Sequence, residues 1–440
     1  MRAKLARQLH VTFASLGNRN FRLFFVGQGV SQIGNWLTLV AQTLLVLKLT
    51  GNGVAIGVLA AFQFGPILLI GAWTGLVADR SDKRKLLFIV QVFAMAQTFV
   101  LAGLAFMDQP PLAAIYIVAA AGGVTLAFDN PARRAFVVEM VPTDQVNNAV
   151  SINSAIMTSS RIIGPALAGL LIATVGFGWA FVFDGVSYIA VLVALAMMRT
   201  SELRPSAVTE RAKAQVRAGL RYVATVPDLW VPLAMMAVVG TFAFNFQVVL
   251  PLLVTRTFGG GDTAFTMLFS VISVGALVGA LMTARRSFVG VREVAGSAVA
   301  FGVAMLAFAA APNLAFAFPV GLFVGASSIA FLTASTAIVQ LRASPEMRGR
   351  VLALQAIVFL GSTPVGGPIL GYVSDTLGPR AGVAIGGVAA CGAGVAGWWV
   401  YRRIQARAGE AVVLSEPVVP NTPHVPGVPA APGASPRLIA

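Results

Sequence analysis

The chain has 440 residues, of which 57% are hydrophobic and 11% charged, against about 25% charged in a typical soluble domain, and this excludes an ordinary soluble protein. The formal net charge of +15 invites a nucleic-acid reading, but the basic residues sit in alternate polar segments rather than in one patch, which excludes it. Cys391 has no internal partner and His10 and His424 lie in the polar ends, so no disulfide, metal site, His relay or cofactor is expected within the membrane.

Taken in chain order, twelve apolar runs reach the ~18 residues needed to span a bilayer. They cover 22–47, 54–78, 86–106, 112–130, 149–174, 178–198, 229–253, 262–284, 293–311, 314–338, 350–374 and 380–402. The first is too long for a signal-peptide core and reads as a retained helix. The fold class is therefore an all-α membrane protein with twelve transmembrane helices. With both termini placed in the cytoplasm, every Lys and Arg falls in an inside segment except Lys48, Arg256, Arg380 and Arg161. That asymmetry is the positive-inside pattern and predicts a multi-pass protein of the cell (inner or plasma) membrane, in contact with its lipids.

Residues 1–21 form a cytoplasmic N-terminal segment. In the first helix Gln28, Ser31, Gln32, Asn35, Thr38 and Gln42 share about 120° of arc, and such a polar stripe must face protein or water. It either lines a cavity, with Gln28, Gln32, Asn35 and Gln42 as substrate contacts, or bonds one helix to another. Phe24, Phe25 and Trp36 are candidate stacking surfaces beside it. The loop after helix two reads GLVADRSDKRK. Gly75, with Gly71 a turn before, allows close helix contact, while Asp79 and Arg80 stand next to the basic cluster Lys83, Arg84 and Lys85. Asp129, Arg133 and Arg134 follow helix four as inner loop charges, as Glu346, Arg348 and Arg350 precede helix eleven; they either join the two halves or are solvated.

Helix five contains SRIIGPALAG, with Arg161 directly before Gly164 and Pro165. An Arg about fourteen residues from either end of a span is costly to bury without a partner or water. The acid nearest to it in depth is Asp184 in helix six, roughly 10 Å away along the axis at about 1.5 Å per residue. Asp184 is a candidate protonation site whose charged form pairs with Arg161; the alternatives are a fixed ion pair or an acid in a hydrated vestibule.

Residues 199–228 form the one long polar interruption, where Lys213, Arg217 and Arg221 oppose Val216, Leu220 and Val223. This makes an amphipathic surface helix suited to anionic headgroups. It divides two similar halves, 22–198 and 229–403. Pro142, Gly164 and Pro165 recur at the same spacing as Pro345, Gly367 and Pro368, and Gly51, Gly53 and Gly71 recur as Gly259, Gly261 and Gly279. Such repeats predict two pseudo-symmetric six-helix bundles around a central site. From 404 to 440 the chain turns Pro-rich, with a proline at every third position from Pro417 to Pro432, and reads as a disordered cytoplasmic tail.

Twelve helices, two halves and this loop resemble the major facilitator superfamily. Its loop signature, G-x-x-x-D-[RK]-x-G-[RK]-[RK], is matched by Gly75, Asp79, Arg80, Lys83 and Arg84, while Asp82 replaces the second glycine; the second half keeps Gly279, Arg285 and Arg286 without an acid. Helix five is similar to the exporters' G-x-x-x-G-P-x-x-G-G motif through Ser160, Gly164, Pro165, Ala168 and Gly169. Residues 128–169 further resemble the branch containing macrolide-type drug exporters and enterobactin exporters. The resemblance implies alternating access, export of a small amphiphilic substrate such as a drug or siderophore, and coupling to protons as an antiporter, by a monomer.

No nucleophile, base and orienting group can be assembled from these buried polar residues, so no enzyme is expected. The G-K-[ST] phosphate loop is also missing, so an ion gradient rather than the chain's own ATP hydrolysis must drive uphill movement. Two alternatives differ in observable ways. An importer of the same fold reverses the flux, and a non-transporting sensor or assembly protein binds without flux and depends on the tail.

Overall fold

The computed structural model describes residues 13–204, 215–284 and 289–415. Twelve of its helices are long and apolar enough to cross a membrane. They are α1 Arg19–Thr50, α2 Gly53–Arg80, α3 Lys83–Ala105, α4 Leu112–Glu139, α5 Val146–Val175, α6 Phe177–Ala196, α7 from Pro227, α8 Asp262–Ala284, α9 Val291–Ala309, α10 Leu314–Arg342, α11 Pro345–Thr376 and α12 Pro379–Ser415.

Their ends follow from local chemistry. Asn52, Asp82 and Asn313 cap α2, α3 and α10, each side chain accepting from a backbone N–H three residues on, which satisfies donors that a helix start leaves free. Gly51 ends α1 at φ +60°, a left-handed turn that glycine adopts without strain. Helix α7 is broken. Its first piece runs Pro227–Phe242, a second runs Phe246–Leu252, and a π-turn follows at Leu253–Thr257. Asn245 stands in the gap, and its side-chain amide donates to the carbonyl of Thr241 at 2.7 Å. That bond replaces one that the interruption removes.

Within the first half, α1 packs on α5 and α6, α2 on α4, and α3 on α4 and α6; in the second, α10 packs on α8 and α9, and α7 on α11. The halves meet along α2 with α11 and along α5 with α8. Hydrophobic burial does not hold helices together in lipid, so close approach and van der Waals contact must. The α2–α11 seam meets that need with glycine. A Cβ on Gly57 would strike the backbone of Gly367 and Pro368, and one on Gly371 the backbone of Gly53. On the outer faces large apolar side chains such as Leu69 (83% exposed) and Phe323 (70%) stand open, as lipid-facing residues do. The chain is a multi-pass membrane protein.

Three expectations change. The fourth apolar run, read as 112–130, continues as helix to Glu139 and carries Asp129 and Arg133 inside it, 4% and 5% exposed. An apolar scan stops at the first charges, although Ala127, Ala132 and Phe136 keep the buried face going. Glu346, Arg348 and Arg350 likewise belong to the first turns of α11 rather than to a loop. The linker helix, Gln215–Thr225, packs on α7 and α11. It buries Val223 and lets the Tyr222 hydroxyl accept from the backbone N–H of Ser344 at 3.1 Å, while Leu220 stays exposed. Lys213 of that linker, Arg285 and Arg286 lie outside the described residues. Residues 404–415, assigned to the tail, are the last turns of α12, and the repeating prolines lie outside the described residues.

Candidate transport cavity

A cavity of about 410 Å³ lies between the halves. Its wall on the first half carries Gln32, Asn35, Trp36, Thr38 and Gln42 of α1, with Gln63 of α2, Gln91 of α3, and Arg161 of α5; Asn245, Gln247 and Phe269 come from the second half. The polar stripe of α1 therefore does both things expected of it. Gln32, Asn35 and Gln42 line the cavity. They are also bonded to protein: Tyr188 donates to Asn35 at 2.7 Å, Gln63 to Gln42 at 2.9 Å, and Gln42 to the carbonyl of Ile115 at 3.4 Å. Gln28 is not among the lining residues. Oriented by hydrogen bonding, Gln28 and Gln32 turn their oxygens to the guanidinium of Arg133. Of the proposed stacking surfaces only Trp36 reaches the cavity, since Phe24 packs edge-on against Phe136 in the bundle interior.

Arg133 also pairs with Asp129, and Gln91 donates to the other carboxylate oxygen of Asp129 at 2.8 Å. This buried cluster was missed in the sequence because its two charges were read as loop charges. Their spacing of four residues, which puts both on one helix face, was the available signal. Gln63, Asn245 and Gln247 were missed as well. Isolated amides in an apolar run form no pattern, and the break in α7 lies in a stretch that reads as one continuous span.

Arg161 and Asp184 do not form an ion pair. Asp184 is fully buried, and Thr38 donates to it at 2.6 Å and Ser187 at 3.2 Å. Gly34 makes the room, since a Cβ there would collide with that carboxylate. The Arg161 guanidinium instead lies over the Trp36 ring, 5.4 Å from its centroid, a cation–π arrangement. Its Nε has no partner in the protein.

Helix five is a wedge between α1 and α8. A Cβ on Gly164 would meet Trp36 and Ile33 of α1, and one on Gly169 would meet Thr266 of α8. Pro165 withdraws the donor for the carbonyl four residues earlier. At the next carbonyl, that of Ile162, Ser270 of α8 donates at 3.1 Å. The small residues of this motif thus serve two different partners.

The α2–α3 loop shows a different arrangement from the close packing expected of it. A Cβ on Gly75 would meet nothing within 4 Å. Lys83 pairs with the buried Glu139 at 3.0 Å, and Arg84 donates to the carbonyls of Leu195 and Ala196 at the end of α6. Asp82, which stands where the signature has glycine, is the N-cap of α3. Asp79 and Arg80 occupy the last turn of α2.

The end of the molecule that carries Gly51 is closed across the halves. Asp375 of α11 accepts from the backbone N–H groups of Gly53 (2.8 Å) and Val54 (2.9 Å) and pairs with Arg256 at 2.8 Å. Arg256 also donates to the carbonyl of Gly51. A carboxylate at a helix N-terminus is favoured by the free N–H groups and by the helix dipole, here supplied by the opposite half.

The model of the transmembrane secretion effector family matches residues 10–422. Among related proteins, a staphyloferrin A transporter of Staphylococcus aureus is 23% identical over 89% of this chain and 98% of its own length. A macrolide efflux protein A of Streptococcus pyogenes is 22% identical over 81% and 90%, and an enterobactin exporter EntS of Salmonella typhi is 23% identical over 83% and 88%. Similar solved structures are a D-xylose–proton symporter (TM-score 0.70, 13% identity, 86% of this chain and 97% of that one) and an inward-facing bacterial homologue of the lysosomal transporter Spinster (0.66, 16%, 90% and 94%). These neighbours share the fold. Folded, spanned and matched in this way, the chain is a transporter rather than an enzyme, and it belongs to the transmembrane secretion effector family of the major facilitator superfamily.

Proposed function

We propose that the protein exports a small amphiphilic molecule, of the drug or siderophore kind, by rocking the halves 22–198 and 229–403 about the central cavity, as a monomer that exchanges substrate for protons. The observation that carries the reading is a cavity shared by both halves, walled by amides and aromatic rings and sealed at the Gly51 end. Uncharged amides beside rings suit a bulky solute with both polar and apolar parts.

The distribution of Lys and Arg supports a cytoplasmic location for the opposite end, so the sealed end faces outward and the state is inward-facing. Export is supported by the helix-five wedge, which links α1 to the other half at the bend of Pro165, and by relatives named for efflux. Asp184 serves as the proton site: its bonds to Thr38 and Ser187 tie its charge state to a helix that lines the cavity. Arg161, beside Trp36, is the substrate-side partner in the coupling. In the α2–α3 loop, Gly75, Asp79, Arg80, Lys83 and Arg84 act as the inner latch, closing when the halves rock to the outward-facing state. The open space at Gly75 supports its being released here.

The test is accumulation of a panel of labelled drugs, dyes and siderophores in cells lacking their own pumps, with and without a protonophore. The native protein is expected to lower accumulation of at least one compound in a protonophore-sensitive way, and Arg161→Ala at equal expression to lose that effect. Raised accumulation would reverse the direction to import. No change for any compound would count against this substrate class.

A further inference from the structure

The polar groups of the cavity's residues are committed unevenly. The side-chain nitrogens of Gln63, Gln91 and Asn245 donate to Gln42, Asp129 and the carbonyl of Thr241. Arg161 has no such commitment: its Nε is buried without a protein partner and its guanidinium lies over Trp36.

The charges are one-sided too. Asp129, Arg133 and Arg161 are the charged residues of the lining. Asp129 is taken up by Arg133 and Gln91, and Asp184, just behind Thr38, by Thr38 and Ser187. The cavity therefore offers a cationic solute no uncommitted carboxylate. It offers an anion an arginine that lines the cavity, is stacked on Trp36 and pairs with no carboxylate among the described residues, a group suited to binding a carboxylate. Rings are at hand from both halves, since Trp36 lies 6.3 Å from Phe269, and Phe244 meets Phe359 edge-on at 5.0 Å.

From this we infer that the substrate is an organic anion, which presents a carboxylate to Arg161 and an aromatic or apolar part to the rings beside it. The inference rests on the reading of the cavity as the transport site. It differs from a basic amphiphilic drug, which needs the carboxylate that this wall withholds.

The test is calorimetric titration of the full-length protein in lipid nanodiscs with three probes. These are chlorogenate, which carries a ring, several hydroxyls and a carboxylate; its methyl ester, which lacks only the charge; and tetraphenylphosphonium, an apolar cation. Chlorogenate is expected to bind about tenfold more tightly than the ester, as one charge-assisted contact allows. Arg161→Gln should bring the acid to the affinity of the ester, and Arg161→Lys should keep part of the difference. Thermal unfolding of each variant identifies any that has lost its fold. Equal binding of acid and ester, including no binding of either, overturns the proposal, as does tighter binding of tetraphenylphosphonium or an acid preference that survives Arg161→Gln. Titration reads affinity without flux. A reversed flux would therefore sink export and leave this inference standing, and an indifferent titration would do the opposite.

Discussion

The sealed end and the cavity are built from opposite materials. Along the α2–α11 seam backbone meets backbone through Gly53, Gly57, Gly367 and Gly371, and the charges at its end are engaged: Asp375 takes the N–H groups of Gly53 and Val54, and Arg256 takes Asp375 and Gly51. Elsewhere Gln32, Asn35, Trp36 and Arg161 of one half and Asn245, Gln247 and Phe269 of the other border an open cavity of about 410 Å³. Polar groups beside open space can be completed by a solute instead of by protein. One region is made to hold still in one state, the other to be completed by something else.

The largest loss of flux is expected on thickening the seam. Gly57→Leu forces a side chain into the Gly367 backbone, and overpacking of this kind costs about 2 kcal/mol. Thermal unfolding should show that loss, and flux should fall below detection. Next comes the buried pair Lys83–Glu139, whose side chains are 8% and 6% exposed. Lys83→Met alone removes one partner from Glu139 and should destabilise by about 3 kcal/mol, whereas Lys83→Met with Glu139→Leu should recover most of it. Stability that is the same in the single and double variants would show that the pair is not what holds α3 to α4.

A smaller effect is expected at the Asp375–Arg256 pair, because the Arg256 side chain is one-third exposed. Asp375→Asn should favour opening by about 1 kcal/mol, or about fivefold in population. In a Cys391→Ala background, a cysteine placed at Leu39, on the cavity wall, should then react about fivefold faster with an impermeant maleimide added from the Gly51 side. The smallest effect is expected at Gly75. Gly75→Ala meets nothing within 4 Å and should change stability by less than about 0.5 kcal/mol. A fall in flux without a fall in stability would locate its contact in the other conformation.

The contrast also explains what could be read without coordinates. Each of the twelve spans was visible, because lipid demands long apolar runs and leaves little freedom in their length. The repeat of Gly164–Pro165 as Gly367–Pro368 marked residues that do sit at contacts between helices, Gly164 on α1 and Gly367 on α2. The cavity was only half legible. Its α1 side was periodic and could be seen, while Gln63 of α2, Gln91 of α3 and Asn245 and Gln247 at the break of α7 converge only in three dimensions. Arg161 was conspicuous as a charge in an apolar run, but its neighbour was not the acid of α6. It was Trp36, brought close because Gly164 has no side chain. A crude count of depth along two helices cannot distinguish an acid that faces the arginine from one that Gly34, Thr38 and Ser187 enclose.

In the proposed cycle the Gly51 end opens and closes while the cavity stays put. Electron–electron distance measurement between spin labels at Leu49→Cys of α1 and Leu377→Cys after α11, exposed positions on opposite halves, with Cys391→Ala in the background, reads this opening. Two populations are expected, a dominant short distance and a minor longer one, with the longer one increased about fivefold by Asp375→Asn. A single short distance, unchanged by Asp375→Asn in a protein that still transports, would contradict it.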